Sequence, residues 1–213
     1  MKIQLSFFDS IMDLLCIKPI FLLGFILVGI SLFWCFIKNN ELPKVRITIC
    51  SIIMYYYLCL MLKNIVGIPD ISELSRLSNL GESFFNPNIN LIPLNDCFGL
   101  SFILNIILFV PLGFLSPIIS RTYEQSKKVI LFGFSLSLII EISQLFTLYR
   151  ATDINDLLTN SLGTLIGYLC YRTVMKLKIV KSCLEHKVSL ENKITAFLPI
   201  MIMVFAFIST FIS

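Results

Sequence analysis

Long apolar runs separated by short polar segments dominate the chain. Six runs approach the roughly 20 residues that a helix needs to cross a bilayer. They cover residues 19–37, 45–68, 98–119, 129–149, 156–174 and 194–213. The second run is the weakest, because its uncharged part spans only 47–62 and Lys63 must reach the membrane surface. The pattern predicts an all-α, polytopic integral membrane helix bundle with five to six transmembrane helices.

The composition supports this class. Hydrophobic residues make up 57% of the chain and charged residues 14%, with a mean hydropathy of +0.89. A soluble domain averages about 25% charged residues, so little of this chain is expected outside the bilayer. The formal net charge of +4 comes from basic residues concentrated in particular loops. We therefore expect membrane lipids as partners and no nucleic acid.

The runs divide the chain into segments with different expected roles. We predict an N-terminal amphipathic segment over 1–18, two transmembrane helices over 19–68, an outer loop over 69–97, a core of three transmembrane helices over 88–175, a basic cytoplasmic loop over 176–193 and a C-terminal transmembrane helix over 194–213. No cleavable signal peptide is expected, because Asp9 and Asp13 interrupt the N-terminal segment.

Basic and cysteine residues add an orientation and a redox expectation. The segments 38–46, 120–128 and 172–193 hold most of the 17 Lys and Arg residues, and the positive-inside rule places them in the cytoplasm. We therefore predict a multi-pass cell-membrane protein with both termini outside. The seven cysteines form no CxxC pair. Four of them lie in apolar runs and are expected to be small buried hydrophobes. These are Cys35, Cys50, Cys59 and Cys170.

Polar side chains inside or beside the apolar runs mark a candidate site, because a carboxylate or amide in hydrocarbon is costly. The candidates are Asn90, Pro93, Asn105, Glu141, Gln144, Arg150, Asp153, Asn155, Asp156 and Asn160. At a rise of about 1.5 Å per residue, all of them fall in the outer half of the bilayer or just above it. Three separate segments thus contribute polar groups at one depth, which predicts a single site facing the outside.

Two of these residues have both structural and functional interpretations. Glu141 could be a structural residue that hydrogen-bonds to Asn105 or Gln144 across helices. The alternative for Glu141 is a ligand-binding role or a role as catalytic acid or base. Arg150 either anchors a helix end at the head groups, or neutralises Glu141 or binds a lipid phosphate.

The acidic segment after Arg150 has two interpretations as well. Asp153, Asn155 and Asp156 suit the N-terminus of the next helix as capping residues. A divalent cation held by these residues and Glu141 is the alternative, but Asp-x-Asn-Asp offers few ligands and matches no known loop signature. We predict no metal and no cofactor. Gly163 and Gly167, four residues apart, form a ridge that would let another helix approach closely.

Taken together, the sequence motifs that contain these polar residues resemble those of the VanZ-like family of small bacterial membrane proteins. The family motifs are matched by Asn-Leu-Ile-Pro at 90–93, Asn-x-x-Leu-Phe-x-Pro-x-Gly at 105–113, Glu-x-x-Gln at 141–144, Arg150, Asp-x-Asn-Asp at 153–156 and Asn-Ser-x-Gly-x-x-x-Gly at 160–167. The departures are Leu94 for an aromatic residue, Asn155 for a middle Asp and Ser161 for Thr. The resemblance covers residues 88–172.

The resemblance implies low-level resistance to the glycopeptide antibiotic teicoplanin in the plasma membrane of a bacterium, but it supplies no reaction. Teicoplanin binds the D-Ala-D-Ala end of a cell-wall precursor and carries a lipid tail that rests in the membrane. We therefore expect a non-enzymatic envelope protein whose site binds a lipid-linked cell-wall precursor or the lipoglycopeptide.

Two other functions remain open at this point. One is a membrane-embedded enzyme that modifies a lipid-linked envelope substrate, with Glu141 as acid or base. The other is a small transporter or flippase, although no inverted repeat is visible. The sequence leaves the oligomeric state open.

Overall fold

The computed structural model describes residues 19–38, 42–85, 87–90, 99–147, 152–177 and 193–213. Its α-helices are α1 Ile20–Lys38, α2 Lys44–Leu60, α3 Ile71–Leu80, α4 Leu100–Ile119, α5 Ser126–Gln144, α6 Ile154–Val174 and α7 Lys193–Ile212. A π-helical turn, Met61–Val66, continues α2, and a 3₁₀ helix, Arg121–Glu124, precedes α5. Two short strands, β1 Ile89–Asn90 and β2 Thr152–Asp153, pair in parallel.

The predicted membrane helix bundle is confirmed, and each of the six apolar runs contains a helix. Within the described part of the chain, four segments are long and apolar enough to cross a membrane, namely Ile20–Lys38, Lys44–Leu80, Leu100–Ile119 and Thr195–Ile212. Helices α5 and α6 have 19 and 21 residues, and their charged residues include Glu141 and Asp156. The predicted amphipathic segment and most of the predicted basic loop lie outside the described residues.

The predicted outer loop over 69–97 contains a helix that the sequence analysis did not predict. Asp70 precedes α3, and its carboxylate accepts a hydrogen bond from the Glu73 amide at 2.8 Å. Gly81 ends the helix with a φ of 70°, a conformation that glycine adopts without steric cost. The Asp-x-x-Glu spacing resembles a capping box and was the available signal for this helix.

The closest helix pair is α4 with α6, which pack backbone against backbone. A Cβ atom at Gly167 would lie 2.0 Å from the Val110 carbonyl oxygen, and one at Gly163 would lie 2.2 Å from the Ile106 oxygen. On the facing helix, a Cβ at Gly113 would lie 2.0 Å from the Thr164 oxygen. The predicted glycine ridge is therefore confirmed as a packing surface.

Helices α1, α2 and α7 form the other side of the bundle around one buried tyrosine. The hydroxyl of Tyr55 lies 3.0 Å from the Phe21 carbonyl oxygen and 2.9 Å from the Ser209 hydroxyl. Gly24 makes room for this ring, because a Cβ there would lie 1.8 Å from the tyrosine oxygen. One tyrosine side chain thus joins three helices in the interior of the bundle.

Candidate functional site

The carboxylate of Glu141, near the end of α5, is held by the strand that begins after it. The amide of Asp153 donates to Glu141 Oε2 at 2.9 Å. The Thr152 hydroxyl donates to the Glu141 carbonyl oxygen at 3.0 Å. Strand β2 therefore crosses the end of α5 and holds both the backbone and the side chain of Glu141 in place.

The strand pair orders the neighbouring acidic segment. The Thr152 amide donates to the Asn88 carbonyl oxygen at 2.8 Å, and Asn90 Nδ2 donates to Asp153 Oδ2 at 3.2 Å. The other Asp153 oxygen accepts from the Asn155 amide at 2.8 Å and so caps α6. The capping interpretation is confirmed for Asp153, whose carboxylate serves the start of the helix and the facing strand.

Two amide side chains connect α6 to its neighbours. Asn105 on α4 donates through Nδ2 to Asp156 Oδ1 at 2.6 Å. Asn160, one turn along α6, donates through Nδ2 to the Ser137 hydroxyl on α5 at 2.9 Å. These hydrogen bonds satisfy buried donors between helices that otherwise pack through apolar atoms.

The polar residues of α4, α5 and α6 surround one small cavity with a volume of about 60 Å³. Its polar lining consists of Asn105, Glu141, Gln144, Asp156 and Asn160. Glu141, Gln144 and Asn160 are only 4–6% exposed. The structure thus brings five of the predicted site residues, from three segments of the chain, together around one cavity.

The remaining predicted residues lie beside the cavity or outside the described part of the chain. Asn90 and Asp153 belong to the strand pair, and Asn155 follows it at the start of α6. Pro93 and Arg150 lie outside the described residues.

The sequence analysis missed part of the lining. Ile65 and Val66 of the π-helical turn contribute, together with the apolar residues Leu108, Phe109 and Ile140. Residues of these types occur throughout any apolar span. Only their depth in the membrane could therefore have indicated that they line the cavity.

The VanZ/LLP1 family model matches residues 48–180 of the chain, well over half of its 213 residues. The chain belongs to the VanZ/LLP1 family. The match extends the resemblance at 88–172 back through most of α2, whose π-helical turn lines the cavity. No curated protein and no solved structure matched the chain.

This VanZ-like protein also has a large apolar groove on the other side of the end of α5. The groove has a volume of about 720 Å³. Its walls come from the segment leading into α3, the last turns of α5 and the end of α7. They consist of Ile68, Pro69, Leu74, Ile139, Ile142, Ser143, Phe146, Phe207, Ile208, Phe211 and Ile212. A polar cavity and an apolar groove therefore flank the same helix end.

Chemically, the cavity is rich in acceptors and acidic. Two of its five polar residues carry carboxylates, and the other three carry amides. Within the described residues, the lining includes no basic side chain and no Ser, Thr or Cys nucleophile. This arrangement favours binding of a cation or a hydrogen-bond donor over nucleophilic chemistry.

Proposed function

We propose that this VanZ-like protein is a non-enzymatic envelope protein that binds a lipid-linked ligand from the outer leaflet. The ligand would be a lipid-linked cell-wall precursor or a lipoglycopeptide such as teicoplanin, whose access to its target the protein would reduce. The observation that carries the proposal is the convergence of five polar side chains from three helices on one cavity. Polar groups at membrane depth are costly, and their concentration at one place favours a functional site.

The positions of the basic residues support an outward-facing site. Among the described residues, Lys44 and Arg46 begin α2, Lys127 and Lys128 begin α5, and Arg172 lies near the end of α6. These are the helix ends opposite to those that carry the polar cavity. By the positive-inside rule, the basic end belongs in the cytoplasm and the cavity belongs on the outer side.

The sizes of the two recesses suggest how a lipid-linked ligand would be divided between them. A cavity of about 60 Å³ is far smaller than the roughly 300–1,000 Å³ of typical ligand pockets. It can receive only a small group at the tip of a larger molecule. The groove of about 720 Å³ falls within that range, and its walls suit a hydrocarbon tail. We therefore assign the tail to the groove and a polar group of the ligand to the cavity.

One observation favours a second candidate, a membrane-embedded enzyme acting on an envelope lipid. The Glu141 carboxylate is buried and lines the cavity, a suitable position for an acid or base. Mass spectrometry of envelope lipids and precursors tests this alternative. A product formed with the wild-type protein and abolished in Glu141→Gln would favour the enzyme over the binding protein.

The main proposal is tested by inhibitory concentrations of teicoplanin and of vancomycin, which has no lipid tail, in a susceptible Gram-positive host. The host carries the wild-type protein, Glu141→Gln or an empty vector, and a blot checks expression. We expect the wild type to raise the inhibitory concentration for teicoplanin alone and Glu141→Gln to lose the effect. Equal protection from both drugs, or none from either, would contradict the proposal.

A matched pair of substitutions on α5 tests the groove. Ile142 lines it and is 50% exposed, whereas Leu138 lies one turn away, is 41% exposed and does not line it. Ile142→Phe adds volume inside the groove, and Leu138→Phe makes a comparable change towards the surrounding lipid. We expect Ile142→Phe to reduce teicoplanin protection and Leu138→Phe to keep it. Equal protection by both variants would show that the groove does not contribute to protection from teicoplanin.

A further inference from the structure

The buried carboxylate of Glu141 faces more negative charge. Its side chain is 4% exposed, and the described groups whose charges act on it are the carboxylates of Asp153 and Asp156. The hydrogen bond to Glu141 within the described residues comes from the neutral Asp153 amide. A buried carboxylate without a compensating charge is costly, and none of the described residues supplies a positive charge to Glu141. A bound cation or a proton would remove this cost.

Two further oxygen atoms next to this carboxylate have no hydrogen-bond partner. They are Gln144 Oε1, one turn from Glu141 on α5, and Asn160 Oδ1 on α6. Both side chains line the cavity and are at least 94% buried. Native structures leave few such acceptors unsatisfied, and an unsatisfied pair beside a cavity indicates a bound water or ion. The Asn160 amide is oriented by its hydrogen bond to Ser137, which leaves its oxygen for the cavity.

We propose that the cavity binds one hard divalent cation, Ca²⁺ or Mg²⁺. Its ligands are oxygen atoms of Glu141, Gln144, Asp156 and Asn160. Hard cations prefer carboxylate and amide oxygens, and two carboxylates balance two positive charges in a low-dielectric interior. The cavity volume of about 60 Å³ exceeds the roughly 10–15 Å³ that one water needs, so the cavity has room for one ion with a retained water.

This ligand set could not be recognised from the acidic motif alone. Within the described residues, no group of three or more His, Cys, Asp and Glu side chains is arranged to hold a metal ion. The Asp153 carboxylate is directed to the strand pair and the helix cap instead. The amide oxygens from two helices replace the missing carboxylates. The polar group of the envelope ligand proposed above would reach the ion in place of the retained water. Ion binding itself does not require that ligand.

The test uses the purified full-length protein, stripped with EDTA and reconstituted in nanodiscs of zwitterionic lipid. Thermal unfolding is followed with a thiol-reactive dye, which labels the exposed Cys170 before heating and reports unfolding through the buried Cys35 and Cys59. We expect Ca²⁺ or Mg²⁺ to raise the Tm by roughly 5 °C or more at about 100 times the Kd. Equilibrium dialysis of the same sample should retain about one divalent ion per chain.

Three variants separate a specific site from general charge effects. Glu141→Gln keeps an acceptor for the Asp153 amide and should lose the response to divalent ions. Gln144→Met keeps the side-chain shape without the oxygen and should weaken ion binding by about tenfold or more. Glu73→Gln removes a partly exposed carboxylate on α3, which pairs with Arg76 and does not line the cavity, and should respond like the wild type.

Several outcomes would overturn the proposal. The absence of any shift with Ca²⁺ and Mg²⁺ would mean that water or a protonated Glu141 satisfies the cavity. An equal rise in Tm with NaCl at the same ionic strength would show that the divalent ions act only by screening charges. Retention of the full response by Glu141→Gln would place the ion elsewhere on the protein.

Discussion

The backbone contact between α4 and α6 can be tested by one added methyl group. In Gly163→Ala, the new Cβ would lie 2.2 Å from the Ile106 carbonyl oxygen, whereas ordinary contact begins at 3.4 Å. The two helices must therefore separate locally by about 1.2 Å, because the contact is backbone rather than a flexible side chain. Ile106 adjoins Asn105, whose 2.6 Å hydrogen bond to Asp156 joins the same helices. A separation of this size would lengthen that bond to about 3.8 Å, beyond hydrogen-bonding range.

The expected loss of stability follows from overpacking. Forcing an extra methyl group into a tight interface costs about 1–3 kcal/mol. For a chain of this size, each kcal/mol shifts the Tm by about 2–4 °C, so we expect a fall of about 2–12 °C. Alanine favours the helix over glycine by up to about 1 kcal/mol, which offsets part of the cost and makes the lower half of this range the expectation.

The assay is the thiol-dye unfolding curve, with Gly29→Ala as the matched control. Gly29 also lies within a helix, but a Cβ at this position meets nothing within 4 Å. Gly29→Ala should therefore unfold at the wild-type temperature or slightly above it. If Gly163→Ala and Gly29→Ala unfold at the same temperature, the close approach of α4 and α6 is wrong. Gly163→Ala should also lose teicoplanin protection, because the cavity loses the Asn105 hydrogen bond.

Two further predictions concern stability outside the cavity. Tyr55→Phe removes a buried hydroxyl that contacts Phe21 and Ser209, and should lower the free energy of unfolding by about 1–3 kcal/mol; an unchanged unfolding curve would contradict that role. Asp70→Ala removes both the cap that accepts from the Glu73 amide and the ion pair with Lys63. It should weaken α3 by about 1 kcal/mol or more, seen as faster amide hydrogen exchange in this helix, whereas Asp70→Asn keeps the cap without the ion pair and should exchange more slowly than Asp70→Ala. Equal exchange in both Asp70 variants would show that the cap does not stabilise α3.

The membrane helices could be predicted because their signal is local. A run of apolar residues long enough to cross a bilayer has few alternatives to a helix, since hydrocarbon offers no partner for the backbone. Helix α3 lacks this signal, because its sequence ISELSRLSNL mixes polar and apolar residues and is only ten residues long. Strands β1 and β2 are two residues each and pair residues 63 positions apart, such as Ile89 and Thr152. No local periodicity can reveal such a pair.

The candidate site was predictable in its members and not in its contacts. The fixed rise per residue of an α-helix makes the depth of a residue depend only on its position within the span. Asn105, Glu141 and Asn160 are therefore predicted to lie at similar depths. Which side chains meet depends on the rotation of each helix and on its neighbours. The sequence analysis therefore offered Gln144 or Asn105 as hydrogen-bond partners of Glu141, whereas the observed donor to its carboxylate is the Asp153 amide.

The amino-acid sequence by itself determined the class of the protein, the approximate positions of its apolar runs and the polar residues that they contain. These properties follow from the cost of exposing backbone and polar groups to hydrocarbon, which acts on each segment separately. The tertiary structure alone decided that β2 crosses the end of α5, that glycines bring α4 and α6 into backbone contact, and that two amide oxygens remain unpaired in one cavity. Those features arise from contacts between segments far apart in the chain, where packing geometry selects one arrangement among many with the same local pattern.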